Sequence, residues 1–306
     1  MLIHIGYVKT ASTFLQKRLF IEEVGFKKVG KHVTLRDYLV KPQMIHYEKA
    51  KIEEYLKSEL NKAGNKNLAP VMTFERLSGN PISGGYDQVI ICNRLKELFP
   101  EAKILIVFRE QSDLLVSSYK QVVQEGFSGS IKQYIYPPKN GAKIPQFNLK
   151  FLEYSHLIKL YQNKFGNNNT LALQFELMKE NPARFFSLIF KFCQRSPLKI
   201  DTERKINKSI RPLQVLLKSF ANAFFTRDQT NPNPIISNTR YSDRIIYYLV
   251  KLIPEFVDAD INNKYKKIAR GSINNGIRKD NSLLERNLKI DLQNFGYELY
   301  NNSRRI

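Results

Sequence analysis

Cysteine is scarce in this chain of 306 residues: Cys92 and Cys193 are its only two, far apart, and neither sits in a CxxC or Cys/His cluster. A disulfide scaffold and a structural zinc site are therefore not expected, and a reducing compartment fits. No run reaches the roughly 18 uninterrupted apolar residues that a membrane-spanning helix needs. The N-terminus lacks the basic-then-apolar layout of a secretion signal, because Gly6 and Lys9 interrupt it, so a soluble, cytoplasmic protein is expected. Acidic residues are also in short supply, with 28 Asp and Glu against 49 Lys and Arg, a formal charge of +21. That excess has no concentrated block: residues 1–100 hold 16 basic and 10 acidic groups, 101–200 hold 14 and 7, and 201–306 hold 19 and 11. An even spread is what a Lys-rich solvated surface gives, and no recognised nucleic-acid module is present, so no nucleic-acid partner is expected.

What the chain does have is core material, 42% hydrophobic and 12% aromatic residues, which excludes disorder and allows one elaborated domain over 1–306. Four continuous apolar runs read as buried strands: Leu2–Gly6, Pro70–Phe74, Ile104–Phe108 and Thr170–Phe175. Helices separate them. Segment 88–99 spaces Ile91, Leu95 and Leu98 at i, i+4, i+7, and 151–165 aligns Phe151, Tyr154, Ile158, Tyr161 and Phe165. Asn181 and Pro182 read as N-cap and first residue of a further helix. Strand and helix in alternation predict an α/β fold of three layers, a central parallel sheet between helices, with its ligand site at the carboxyl ends of the strands. The α/β core is expected over 1–200, and 201–306 as a mostly helical extension with Pro212 opening a stripe of Leu213, Leu217, Phe220 and Phe224 and a second apolar run at 244–252. Thr226–Asn238, with Pro232 and Pro234 among asparagines, reads as a loop.

Two segments that follow strands carry the chemistry. Gly6-Tyr7-Val8-Lys9-Thr10-Ala11-Ser12-Thr13-Phe14 is a strand end, a tight turn and a helix start rich in hydroxyls, the build of an anion cradle in which backbone N–H groups and the helix dipole face a phosphate. A capped helix beside a surface lysine would look the same. It is not a Walker A loop, which has a second glycine before its lysine, and an ordinary ATPase, GTPase or P-loop kinase is demoted accordingly. Arg109 ends the strand at 104–108, and Ser117 follows eight residues later, with Tyr119 close behind. A planar guanidinium there can grip a phosphate bidentately, although an arginine at a strand end is often only a surface residue.

The first of these segments resembles the 5′-phosphosulfate loop, and the pair Arg109 and Ser117 the 3′-phosphate motif, of sulfotransferases that use 3′-phosphoadenosine 5′-phosphosulfate (PAPS). Val8 stands where the family usually has proline. The ending Leu292–Leu299 is similar to that of many bacterial carbohydrate sulfotransferases, and Phe175-Glu176-Leu177 with Asn181-Pro182 fits the strand-then-helix of the family. The resemblance implies a P-loop, nucleotide-kinase-like fold. It further implies PAPS as co-substrate and PAP as product, no metal, and a neutral or anionic glycan as partner. Lys9, Thr10, Ala11, Ser12, Thr13, Phe14, Arg109 and Ser117 would hold the donor, Lys9 also aiding departure of the phosphate. Glu75, just past the second strand, is the expected base that deprotonates the acceptor hydroxyl; the other reading is an acid paired with Arg76, and His32 and His46 are rival bases. His4 reads as a core or edge residue of the first strand and His156 as a helix residue. Lys205 and Lys208 match the family's late 3′-phosphate loop poorly and read better as a solvated turn.

Two acid-free windows complete the sequence. Residues 126–152 combine Lys132, Lys139, Lys143 and Lys150 with Phe127, Tyr134, Tyr136, Phe147 and Phe151, and 261–279 hold six basic residues. The first is expected to contribute to an acceptor cleft for a saccharide, aromatic rings facing the sugar and lysines its anionic groups; a loop over the nucleotide is the alternative. A protein-tyrosine or small-alcohol sulfotransferase would keep the same donor residues, and a basic nucleic-acid binder is the remoter reading.

Overall fold

The structure, a computed structural model, describes residues 1–138, 145–202, 210–226, 235 and 239–300. Lys139, Lys143, Lys205, Lys208 and most of the expected loop Thr226–Asn238 lie outside the described residues. Five strands form one parallel sheet: β1 (Leu2–Gly6), β2 (Phe26–Lys28), β3 (Ala69–Thr73), β4 (Lys103–Phe108) and β5 (Thr170–Gln174), in the order β2-β3-β1-β4-β5. The four apolar runs are β1, β3, β4 and β5. β2 was not expected: three residues, two of them lysine, give no apolar signal, and it survives as an edge strand paired to β3 through Phe26↔Ala69 and Lys28↔Val71. Phe175 leaves β5 and opens the helix Phe175–Glu180.

All five residues of β1 are buried because helices cover both faces of the sheet. On one face Leu2, Val71, Leu105, Val107 and Leu173 meet Leu15, Leu19 and Phe20 and the apolar side of the helix Pro182–Phe192, namely Phe185, Phe186, Ile189 and Phe190. That helix starts as expected, Asn181 accepting from the Arg184 N–H at 3.0 Å with Pro182 behind it. Alternation sends Ile3, Ile5, Met72, Ile104, Ile106 and Phe108 to the other face, all buried. There the helix Tyr154–Phe165 lays the Tyr154 ring 5.4 Å from Phe108 and 4.6 Å from Tyr7. This helix begins at Tyr154 rather than 151, since Leu149–Leu152 forms a 3₁₀ turn ahead of it.

The residues group into two compact units, Met1–Glu110 with Leu149–Ile206 and Asn275–Ile306, and Gln111–Asn148 with Asn207–Asn274. The first contains the sheet. The second is helical: Gln111–Gln124, Ile131–Ile135, Pro212–Phe225, Thr239–Lys251 and Phe256–Gly271. Its seam is Leu213, Ile246 and Val250, with Leu217, Ala221, Ile253 and Ile261 against them. Arg211 closes one end of it, giving hydrogen bonds to Asp258 (2.5 Å), the Val250 carbonyl (2.7 Å) and the Ile253 carbonyl (3.0 Å). Two residues of the expected stripe depart from it. Leu213 is buried, whereas Phe220 and Phe224 are exposed, because the face of this helix that packs inward carries Val215, Ser219 and Asn222 as well.

Candidate active site

The sheet order places β1 between β3 and β4, so the chain leaves β1 toward one side for β3 and returns to the other for β4. Ligands in open α/β sheets sit at this reversal, beyond the carboxyl ends of the strands. The register Gly6↔Val107 brings the two strand ends level, and the Tyr7 N–H donates to the Val107 carbonyl at 3.0 Å.

Beyond β1 the backbone makes a cradle. Lys9 (φ 63°) and Ala11 (φ 60°) both adopt the left-handed conformation without being glycine. Left-handed residues alternating with ordinary ones turn neighbouring N–H groups to a common concave side, a nest for an anion. A short helical turn Ser12–Phe14 follows, passing directly into the π-helical turn Leu15–Leu19; such turns concentrate at functional sites. Thr10 uses its hydroxyl inside the loop, donating to the Tyr7 carbonyl at 2.6 Å, so it braces the turn and only its backbone N–H is left for a ligand. Ser12 does the opposite: its Oγ is buried and has no hydrogen-bond partner among the described residues. A buried hydroxyl left without a partner costs free energy unless a ligand completes it.

The floor of the cradle is equally close. A Cβ on Gly6 would stand 2.7 Å from Ser12 Oγ, 3.0 Å from Thr10 Oγ1 and 3.2 Å from His4 Nε2. His4 is neutral, burial pushing its pKa down to about 3. Its Nδ1 lies 2.8 Å from Thr73 Oγ1, which also accepts from Gln16 Nε2 at 3.3 Å. The arrangement that fits these hydrogen bonds has Thr73 donating to Nδ1 and the ring proton on Nε2, the atom that faces Gly6 and has no partner among the described residues.

Arg109, one residue past β4, donates from Nη1 to the Lys9 carbonyl at 3.0 Å, which ties the two expected anion-binding segments together. Its guanidinium lies over the Phe175 ring at 5.1 Å, and its own carbonyl accepts from Tyr154 Oη at 2.6 Å. Neither partner was foreseen. The 3.6-residue stripe put Tyr154 in the core but not its hydroxyl on Arg109, and Phe175 read as the last strand residue. Beneath lies Glu176, which accepts from the Glu110 N–H at 3.2 Å and from Tyr297 Oη at 3.0 Å. Burial raises its pKa.

Past β3, the pairing His4↔Thr73 sets Glu75 at the same sheet edge. Arg76 is engaged elsewhere, with Asp87 at 3.1 Å, and the Glu75 carboxylate has no ion-pair or hydrogen-bond partner among the described residues. His32 reaches this edge too: its Nε2 is 3.1 Å from the Thr73 carbonyl, which accepts from it. His46 sits in the exposed turn Met44–His46, and its ring has no hydrogen-bond partner among the described residues.

A sequence match covers part of this geometry. A family model described as a sulfotransferase domain matches residues 90–214, the stretch that contains β4, Arg109, Ser117 and β5. Over that stretch the chain is similar to sulfotransferases. No curated protein matches the sequence. Among solved structures, a sulfotransferase from Alicyclobacillus acidocaldarius is 16% identical with a TM-score of 0.49, over 79% of this chain and 98% of its own. A sulfotransferase domain from the curacin biosynthetic pathway is 11% identical with a TM-score of 0.41, over 95% of this chain and 98% of its own. Mouse sulfotransferase SULT7A1, complexed with PAP, is 13% identical with a TM-score of 0.41, over 94% of this chain and 86% of its own.

For the donor of a sulfotransferase the residues present fit. The buried Ser12 hydroxyl awaits a hydrogen bond, Gly6 leaves room where any side chain would intrude, and the left-handed pair Lys9 and Ala11 forms the nest. Ser117 lies half-buried on the helix Gln111–Gln124 of the second unit. The aromatic window 126–152 turns out differently from expectation. Tyr134 stacks on Phe147 at 5.2 Å and meets Phe127 at 6.1 Å, so these rings are packed on one another rather than offered to a sugar, and Phe151 is buried at 5.1 Å from Tyr7. Tyr136 is the exposed ring of the five, four residues after the exposed Lys132.

Proposed function

We propose that this sulfotransferase moves the sulfuryl group of PAPS to a hydroxyl of a carbohydrate acceptor by in-line displacement. The single observation that carries the donor half is the Arg109 hydrogen bond to the Lys9 carbonyl, which supports one continuous anion site spanning the ends of β1 and β4. Lys9 and the backbone N–H groups of Thr10 to Phe14 hold the 5′-phosphosulfate, with the Ser12 hydroxyl donating. Arg109 takes the 3′-phosphate, and the sequence motif gives Ser117 the same ligand. Glu75 accepts the proton of the acceptor hydroxyl as its oxygen bonds to sulfur. The bond from sulfur to the 5′-phosphate oxygen breaks, and Lys9 balances the charge that accumulates on the departing PAP. Support for Glu75 is its place at the same sheet edge, its carboxylate having no partner among the described residues while Arg76 is committed to Asp87.

Support for a carbohydrate is the likeness of Leu292–Leu299 to bacterial carbohydrate sulfotransferases and the exposed pair Lys132 and Tyr136. A second reading gives the base to His32, whose ring reaches the same strand end through Nε2. Transfer from PAPS by the Glu75→Gln and His32→Asn proteins, measured against an acceptor series of oligosaccharides, tyrosine peptides and small alcohols, tests both halves. Loss of transfer in Glu75→Gln, with thermal stabilisation by PAP intact, fits the proposal. Normal turnover there together with loss in His32→Asn moves the base to His32, and sulfation of tyrosine peptides alone refutes the carbohydrate.

A further inference from the structure

The helix Thr239–Lys251 of the second unit is apolar on two sides. Ile246 and Val250 are buried against Leu213, Leu217 and Ala221. A second stripe, Ile245, Tyr248, Leu249 and Leu252, follows at i, i+3, i+4 and i+7 and points outward, with Ile245 58%, Tyr248 64% and Leu252 82% exposed. Phe256, at the start of the next helix, extends it at 73% exposure. On the helix Pro212–Phe225, Lys218 pairs with Asp243 at 2.8 Å on one flank of the shared seam, and helical spacing places exposed Phe220 on the other flank, the side of Ile245 and Leu249. Single exposed apolar side chains need no account, but a contiguous stripe across two helices and a turn marks a docking surface.

Charge selects the occupant. Arg244 and Lys251 border the stripe, Lys251 lying over the rings of Tyr247 at 4.6 Å and Tyr248 at 6.0 Å. Along Phe256–Gly271, helical spacing puts the exposed Lys264, Lys267 and Arg270 on the same face as Phe256, with Asp260 among them and Glu255 just before. These three are half of the six basic residues in the acid-free window at 261–279. Across Gln111–Asn148 and Asn207–Asn274 the sequence counts 15 Lys and Arg against 7 Asp and Glu. A second copy of a +21 chain would meet this face with like charge. An apolar stripe bordered by tyrosines and long cations suits an anionic bilayer surface, where the stripe enters the headgroup boundary and the cations stay with the phosphates.

We propose that the Ile245–Phe256 face docks on the anionic phospholipid headgroups of a membrane, the helix lying in the surface plane. Among the described residues no helix is long and apolar enough to cross a membrane, so the contact is peripheral. Co-sedimentation of the full chain with vesicles of phosphatidylcholine plus phosphatidylglycerol, against phosphatidylcholine alone, tests it without donor or acceptor, so the result is independent of the sulfotransferase reading. The wild type binds the anionic vesicles, and rising salt weakens binding. Leu252→Ser with Phe256→Ser lowers the partition coefficient about 100-fold, each side chain contributing about tenfold. Arg244→Glu with Lys251→Glu abolishes the preference for anionic lipid. Both double variants change exposed side chains, and hydrogen exchange on the unaltered protein gives a readout that needs no variant: vesicles protect amides at 244–256. Absence of wild-type binding at low salt, binding unchanged by Leu252→Ser with Phe256→Ser, protection confined to other segments, or self-association through this face in sedimentation velocity overturns the proposal.

Discussion

Gly6→Ala isolates the floor of the donor cradle, because the added methyl group is the whole perturbation. No left-handed backbone angle is involved at Gly6, so the cost is steric alone. The new Cβ would stand 2.7 Å from Ser12 Oγ and 3.0 Å from Thr10 Oγ1, distances at which something has to move. Thr10 is held by its 2.6 Å hydrogen bond to Tyr7 and Gly6 by its pairing with Val107, which leaves Ser12 and the helix start to give way. Overpacking of this kind costs about 1–3 kcal/mol, and for a chain of this length that lowers the Tm by roughly 2–6 °C. The larger effect falls on the donor. Displacing the Ser12 hydroxyl and the neighbouring N–H groups forfeits one hydrogen bond to a charged group, about 1.5–3 kcal/mol, so the Kd for PAP rises about 10- to 100-fold. Isothermal titration with PAP alongside thermal unfolding separates the two quantities. An alanine protein with unchanged PAP affinity would refute the cradle, and one destabilised without loss of affinity would confine Gly6 to packing.

Three further outcomes follow from the same residues. Arg109→Lys keeps the charge but loses the planar donor pair that spans the Lys9 carbonyl and the Phe175 face, so PAP affinity falls about tenfold in titration calorimetry; retention of full affinity would reduce Arg109 to a surface cation. Lys9→Ala lowers both PAP affinity and kcat, whereas Glu75→Gln lowers kcat about 10²- to 10⁴-fold with affinity intact, as expected for a base that acts only on the acceptor. The buried Glu176 titrates above the ordinary carboxylate range, so the folded protein binds this proton more tightly than the unfolded chain does. Its contribution to stability is therefore greatest at acid pH and is lost as pH rises from the ordinary carboxylate value through the raised one. The stability difference between wild type and Glu176→Gln, measured by denaturant unfolding across pH 4 to 8 in roughly unit steps, shifts toward the variant as pH rises; a flat difference refutes the assignment.

Much of this architecture is legible in the chain. Runs such as Ile104–Phe108 can only be satisfied between two layers, and Asn181-Pro182 announces its helix as plainly as any dipeptide can. A candidate anion site could be named, since a hydroxyl-rich turn and an arginine each follow a strand. Division of labour within it could not: nothing in Thr10 and Ser12 as letters says that one hydroxyl is spent on Tyr7 and the other kept open. Composition and periodicity also misjudged where rings go. The aromatics at 127, 134 and 147 pack on one another, while Phe220, on a stripe that pointed inward, is exposed, because helical spacing fixes which residues share a face and not which face finds a neighbour. β2 escaped notice because edge pairing asks little of side chains.

The first unit draws its residues from both ends of the chain, and Tyr297 is the last of them to reach the buried Glu176 beneath Arg109. A protein made from its N-terminus onward therefore completes β1, the Lys9 loop and β4 long before the group that seats Glu176 exists. Until then the buried Glu176 carboxylate is received by the Glu110 N–H and its own N–H, with the Arg109 charge nearby, and lacks its hydroxyl donor. The seat of Glu176 is thus completed only when Tyr297 has been made, and a chain broken off after the helix Asn275–Leu288 would carry Lys9, Ser12 and Arg109 and still lack the hydroxyl that donates to Glu176.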